Sequence, residues 1–337
     1  MMRKKKIAII FICILMICFM LMSACDIIKF PQYLYGLINT EGEYIVKPVF
    51  TGIKIGNEGF FPVRQGIDEY YKWGFCDYKG NVVIDFQYLD VSIFSNGFAP
   101  VQLYDTELWS FIDTQNNIAF EKEFMYALPF SEGLACVQSN VKDETYSLWG
   151  YIDTTGEYVI DPQYDAAASF SEGLAKIQVG SGNAGLCGFI DKSGQVVIEP
   201  AYSYAGIFSE GLASVKLSLD EEAADAGYID MEGNIVIPLT YYNTSAFTEG
   251  FAPVLTGTNF EDALWGYIDK NNEMVIKAKY YMAYSFSESL AAVKTDYYDN
   301  SGWMYMDLEG KLVIGKDFCT AGSFKDGVAP VGMIEYK

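Results

Sequence analysis

From Tyr35 onward the chain alternates short apolar runs with turn-forming pairs at a nearly constant interval. The stretch LWGYIDTTGEYVIDPQYDAAASFSEGLAKI, residues 148–177, shows the pattern whole. An aromatic-Gly pair opens an alternating run, and Asp153 and Gly156 frame a turn. YVI then resumes the alternation, and a second turn at Ser171, Glu172 and Gly173 leads into LAKI. A period of two predicts half-buried strands, and the turns between them predict hairpins. The physical reason is that an Asp carboxylate accepts local backbone N–H groups, while Gly takes positive φ without a steric cost. No stretch after the first 24 residues sustains a helical period, so the predicted class is all-β.

The pattern recurs eight times. With the glycine of the aromatic-Gly pair as phase zero, its equivalents are Gly36, Gly74, Ser110, Gly150, Gly188, Gly227, Gly266 and Met304. A second landmark follows 23 residues later in every unit: Gly59, Gly97, Gly133, Gly173, Gly211, Gly250, Ser289 and Gly327. Phase three is Asn39 and then Asp in the other seven units, and phase fourteen is aromatic throughout, from Phe50 to Phe318. A fixed inner interval with a variable remainder predicts a rigid unit joined by adjustable loops. One such unit cannot bury both faces, so neighbours must cover it. The chain begins on a YGLIN strand without its LAxV partner and ends on a GVAPV strand without its successor. Pairing those two would remove both open edges. The expected architecture is therefore an eight-bladed β-propeller of about 38-residue units; the alternative is an open β-solenoid of stacked hairpins.

These features resemble the WG-repeat family, named for the Trp-Gly pair seen at Trp73-Gly74, Trp149-Gly150 and Trp265-Gly266. The resemblance covers residues 35–337. Tyr35, Cys187 and Ala226 depart from it in the Trp slot, Ser110 and Met304 in the Gly slot. It implies an architecture and carries no catalytic residues.

The N-terminus adds an address. Arg3, Lys4, Lys5 and Lys6 precede an apolar run from Ile7 to Met22, then Ser23, Ala24 and Cys25. That order resembles a bacterial lipoprotein signal, with residues 1–24 removed, Cys25 carrying the lipid, and 25–34 as a short linker. An uncleaved transmembrane helix is the competing reading of the same run. Either places the repeats outside the cytoplasm, on the outer face of a membrane. Removing the four N-terminal cations takes the formal charge from −21 to about −25. Such a field repels nucleic acid and accommodates cationic partners or a divalent cation. The chain contains no histidine, which removes every Ser-His and Cys-His mechanism and the commonest zinc ligand. Cys76, Cys136, Cys187 and Cys319 fall at four different phases, as small buried hydrophobes would.

Two sets of residues are candidate sites. The acids before the second landmark, with Glu132, Glu172, Glu210 and Glu249 at the centre of the series, could ring a metal ion; as plain turn residues they would bind local N–H groups. The variable connectors differ between units and are rich in tyrosine and acid. They supply Tyr70, Tyr71, Tyr104, Asp105, Tyr146, Asp220, Glu221, Phe260, Glu261, Tyr297 and Tyr298 as candidates for binding an envelope protein, peptide or glycan. The function expected is a non-catalytic, membrane-anchored binding or scaffolding module without a cofactor. A carboxylate-based hydrolase or lyase at the propeller axis and a purely structural spacer are the alternatives.

Overall fold

The computed structural model describes residues 31–66, 70–140, 147–296 and 302–336. Cys25 and the preceding signal-like run, with Tyr146, Tyr297 and Tyr298, lie outside the described residues. The described residues form eight antiparallel sheets, seven of four strands and one of three, arranged as an eight-bladed β-propeller. A typical blade is a meander of Ala166–Ala167, Leu174–Val179, Leu186–Asp191 and Val196–Tyr202. The fourth strand alternates buried and exposed positions, as its VVI-type run predicts. The first strand keeps only two residues.

Ring closure uses the pairing expected from the chain ends. Pro31–Asn39 and Val328–Tyr336 form an antiparallel ladder of nine residue pairs, with Gly36 opposite Val331. The ladder starts at Pro31, four residues inside the segment expected as linker. The open solenoid is not formed.

Each sequence unit does not make one blade. It supplies the third and fourth strands of one blade and the first and second strands of the next, so the constant 23-residue stretch is the interface between blades. The eight apolar clusters of the core lie at these interfaces. One contains Tyr151, Ile160 and Tyr164 from one blade and Phe170, Ala175 and Ile177 from its neighbour. The variable connectors fall within blades, where their length does not alter that packing.

A recurring aromatic pair sits at the centre of seven of the eight interfaces. Tyr151 and Phe170 have ring centroids 4.8 Å apart. The equivalent distances are 4.9 Å for Phe75–Phe94, 5.2 Å for Phe111–Phe130, and 4.8 Å for both Phe189–Phe208 and Tyr228–Phe247. Tyr267–Phe286 and Tyr305–Phe324 follow at 5.0 and 4.9 Å. Tilted rings at this distance satisfy the aromatic quadrupole while burying large apolar area. Where the inner ring is tyrosine, its hydroxyl reaches a buried carbonyl across the interface, as Tyr151 Oη does to Ala168 O at 2.8 Å.

The first unit breaks the pair in a compensated way. Gly56 stands where the other seven units have Phe, and Phe61 stands where they have Ala99, Ala135, Ala175, Ala213, Ala252, Ala291 and Ala329. A Cβ built on Gly56 would lie 2.5 Å from the Phe61 ring, so one phenyl group fills the site from either position. Total volume is conserved although the residues are exchanged.

The third blade lost its fourth strand. A Cβ on Gly150 would meet Ile160 O at 2.6 Å, so phase zero favours glycine where the fourth strand closes in. Ser110 occupies that phase, with its Oγ buried and unpartnered, and the facing segment QNNIAFEKEF lacks the VVI run. Only isolated bridges at Trp109–Phe124 and Ile112–Ile118 remain. Met304 also carries a Cβ at phase zero, yet its fourth strand Leu312–Phe318, which keeps the LVI run, persists, so a side chain at that phase does not by itself remove the strand.

The exchange in the first unit gives a direct test. Phe170→Gly should destabilise the protein by about 3–5 kcal/mol in chemical denaturation, and adding Ala175→Phe should restore a large part of it. Purely additive losses in the double variant would show that the two positions do not share one packing site.

Candidate binding face

In a four-stranded meander the first and third turns lie at one end, and the connector between strands two and three lies at the other. Topology therefore sorts the repeated turns onto one face and the variable connectors onto the opposite face.

On the turn face the phase-three acids behave as turn chemistry. Asp77 Oδ1 accepts the N–H groups of Lys79 and Asn81 at 2.9 Å each, and Gly80 N–H donates to the Asp77 carbonyl at 2.9 Å. Asn39, Asp113, Asp153, Asp191, Asp230, Asp269 and Asp307 accept the same two N–H groups. The side-chain amide of Asn117, with N–H groups of its turn, holds the Asp113 carboxyl below the usual carboxylate range.

The second turn is less ordinary. Glu172 and Gly173 have φ of 55° and 86°, the two successive left-handed residues of a type I′ hairpin. Glu is an unfavourable residue for that conformation, by roughly 1 kcal/mol. Its carboxylate explains its presence: Oε1 and Oε2 accept the N–H groups of Glu210 and Gly211, both at 2.8 Å, in the next blade's turn. Glu58 reaches Gly97, Glu132 reaches Gly173, Glu210 reaches Gly250, Glu249 reaches Ser289 and Glu288 reaches Gly327 in the same way. The bonds are thus not local to each turn but step from blade to blade. The residue before each Glu adds a second stitch: Asn57 in the first unit, and Ser or Thr in the others, as Ser171 Oγ donates to Phe208 O at 2.7 Å. Among the described residues no group of three or more acids or cysteines is placed to hold a metal ion.

Two lysines reinforce this ring. Lys192 and Lys270 each place Nζ 3.0 Å from a carboxylate oxygen of Glu132 and Glu210. Desolvation pushes the Glu132 carboxyl up, but Lys192 and the N–H groups of Gly173 and Glu172 outweigh it, leaving it below the ordinary glutamate value. Glu210 is lowered by the same balance with Lys270.

The connector face holds the non-repeated chemistry, and it does not gather the candidate residues into one site. Tyr70 is 84% exposed. Tyr71 lies 4.9 Å from the Arg64 guanidinium, and Tyr104 lies 5.0 Å from Lys72 Nζ. Asp105 Oδ1 accepts the N–H of Thr106, and Asp220 Oδ1 that of Glu222, so both cap their own loops. Glu261 is exposed. Glu221 and Phe260 do converge, across the sixth and seventh blades, on a cleft of about 440 Å³. Tyr204, Tyr242, Lys216 and Asn243 share its walls with Ser218, Leu219 and Leu255, and the Tyr242 and Phe260 rings meet edge-on at 5.7 Å. Sequence reasoning missed Tyr204, Tyr242, Lys216 and Asn243 because it searched the connectors alone. Tyr204 and Asn243 occupy phase sixteen, where the eight units read Gly, Asp, Tyr, Ala, Tyr, Asn, Met and Thr. Variation at one phase of an otherwise regular repeat was the available signal.

Two further clefts open on this face. One, of about 490 Å³, is lined by Gln138, Ser147, Asp165 and Gln178. The other, of about 240 Å³, is lined by Tyr33, Lys294, Trp303 and Cys319. The four cysteines Cys76, Cys136, Cys187 and Cys319 are free thiols, the first three buried. Burial pushes Cys76 and Cys136 up to about 12, far from a reactive thiolate.

A model of the WG containing repeat matches residues 35–66, 73–106, 109–142, 149–182, 188–218, 227–257, 265–298 and 303–333. Comparison with curated proteins finds no match. Among solved structures, prolyl oligopeptidase B from Galerina marginata is similar at 11% identity and TM-score 0.51, over 86% of this chain and 56% of that one. The dihydro-heme d1 dehydrogenase NirN is similar at 11% identity and TM-score 0.50, over 90% of this chain and 74% of that one. The β-propeller domain of the Trilobed protease from Pyrococcus furiosus matches at 12% identity and TM-score 0.48, over 77% of this chain and 97% of that one. The chain spans little more than half the length of the peptidase chains it matches. Identities this low concern the fold alone.

The turn-face ring sets a pH dependence. Glu132 and Glu210 have folded pKa values below their unfolded ones, so their contribution is present above the unfolded glutamate pKa and is lost as pH falls through the folded value. The melting temperature should therefore drop on acidification below about pH 4.5, and Glu132→Gln with Glu210→Gln should flatten that drop. An unchanged slope in the double variant would remove these two groups from the acid transition.

Proposed function

We propose that this chain, which belongs to the WG-repeat family and closes its eight repeats into one propeller, is a non-catalytic binding module whose ligands meet the connector face. The observation that carries the reading is the division of labour between the two faces. On the turn face the repeated carboxylates are engaged by backbone N–H groups and lysines. On the connector face residues differ from blade to blade, and clefts of several hundred Å³ lie between blades. Recognition needs unlike groups converging, which exact repetition does not supply.

We further propose that residues 1–24 are a lipoprotein signal and that Cys25 is the lipid attachment site, holding the propeller outside the cytoplasmic membrane. Pro31 begins a third strand, and third strands start on the connector face. Five residues lie between Cys25 and that strand, so the six Cα steps reach about 20 Å. The tether thus turns the connector face toward the bilayer, and its partner is an envelope peptide, protein or glycan close to the membrane.

A photo-crosslinker placed at Tyr204 on the connector face should capture envelope material in intact cells, and one at Lys79 on the turn face should not. Capture from Lys79 alone would reverse the assignment of faces. Cys25→Ala should release the protein from the membrane fraction; retention there would favour an uncleaved helix as anchor.

A further inference from the structure

The three clefts of the connector face differ in chemistry, and the difference selects a ligand class. The Gln138–Gln178 cleft has no aromatic wall. The Trp303 cleft has aromatic walls, but among the described residues no acid lines it. Of these three, the cleft between the sixth and seventh blades combines aromatic walls with an acid, Glu221, in its lining. Its two connectors, residues 217–225 and 257–263, hold Asp220, Glu221, Glu222, Asp225, Glu261 and Asp262 and no cation. The lysine in its wall is already engaged. Lys216 donates to Asp220 O and lies 3.9 Å from Asp225 Oδ1, with its side chain 12% exposed. Tyr204 is 46% exposed, with Lys176 Nζ 5.9 Å from its ring centroid, and the half-buried Tyr242 and Phe260 rings stand edge to face.

Rings present a negative quadrupole face to a cation, and their apolar area suits methylenes or a guanidinium plane. A carboxylate at the rim supplies the counter-charge without a fixed geometry. We propose that this cleft receives a lysine or arginine side chain of a partner peptide, lying on the Tyr204, Tyr242 and Phe260 rings with Glu221 facing its charge. The proposal rests on the connector face being the binding face. Neutral sugars would use the same rings, but they gain nothing from Glu221 and the other acids of the two connectors, whereas a cationic peptide is drawn in by them.

Calorimetry on the full chain in detergent tests this with an N-acetylated, C-amidated tetralysine peptide, with spermidine, and with chitotetraose. The peptide should bind, and Tyr204→Ala should weaken it roughly fivefold to thirtyfold, as expected for loss of a partly desolvated cation–ring contact. Tyr204→Phe should retain the affinity, Glu221→Gln should lower it, and Tyr78→Ala, on the turn face, should leave it unchanged. Peptide binding that is insensitive to Tyr204→Ala would mean that the protein's overall negative field holds the cation elsewhere, and would overturn the proposal. Spermidine binding at least as tightly, with the same sensitivity, would overturn a peptide as the occupant. Chitotetraose binding in preference, lost in Tyr204→Ala, would overturn the cationic class while leaving the connector face as the binding face. Binding of none of the three would overturn the assignment of this cleft.

Discussion

The contact on which the molecule depends is the aromatic pair between one blade's third strand and the next blade's entry, nineteen residues apart in the chain. It is local in sequence and between blades in space. A blade made only of its own four strands would leave both faces wet, and the pair supplies the dry contact that commits each blade to its neighbour. The fixed 23-residue interval follows, because any insertion between the two rings would pull them out of register. Insertions accumulate instead in the connectors, which join strands inside one blade. The rigidity of the interface and the freedom of the connector face thus have one cause.

The glutamate ring on the turn face shows how local strain is offset by a non-local bond. A left-handed Glu is unfavourable where Gly or Asn would be comfortable. Glu, however, is longer than Asn or Asp by one methylene and reaches the N–H groups of the next turn. Asn96 stands in that slot in the second unit and Asp326 in the eighth; among the described residues neither makes the bond. The glutamate carboxylates form a girdle that links each turn to the next.

The third blade and the first interface mark two kinds of departure. In the first, Gly56 and Phe61 exchange roles, so the volume is kept and the interface survives. In the third, Ser110 and a facing segment without alternating apolar residues lose the fourth strand, and Phe120 packs among Phe98, Phe111 and Phe130 instead. A repeat protein tolerates such changes because each affects only its neighbours.

The sequence by itself determined the strands, the turns, the count of eight and the closure. These depend on alternation, on left-handed turn residues and on missing strand partners at the ends, all of which are short-range properties. It also displayed the exchange of Phe and Ala in the first unit, whose meaning needed the interface to be seen. Only the tertiary structure decided that each unit bridges two blades, that the glutamates bind the neighbouring turn, and that Tyr204, Tyr242, Glu221 and Phe260 share one cleft. Those facts depend on which strand lies beside which after the ring closes. Residues 38 or so apart become neighbours through the pitch of the ring, a distance that no local pattern encodes.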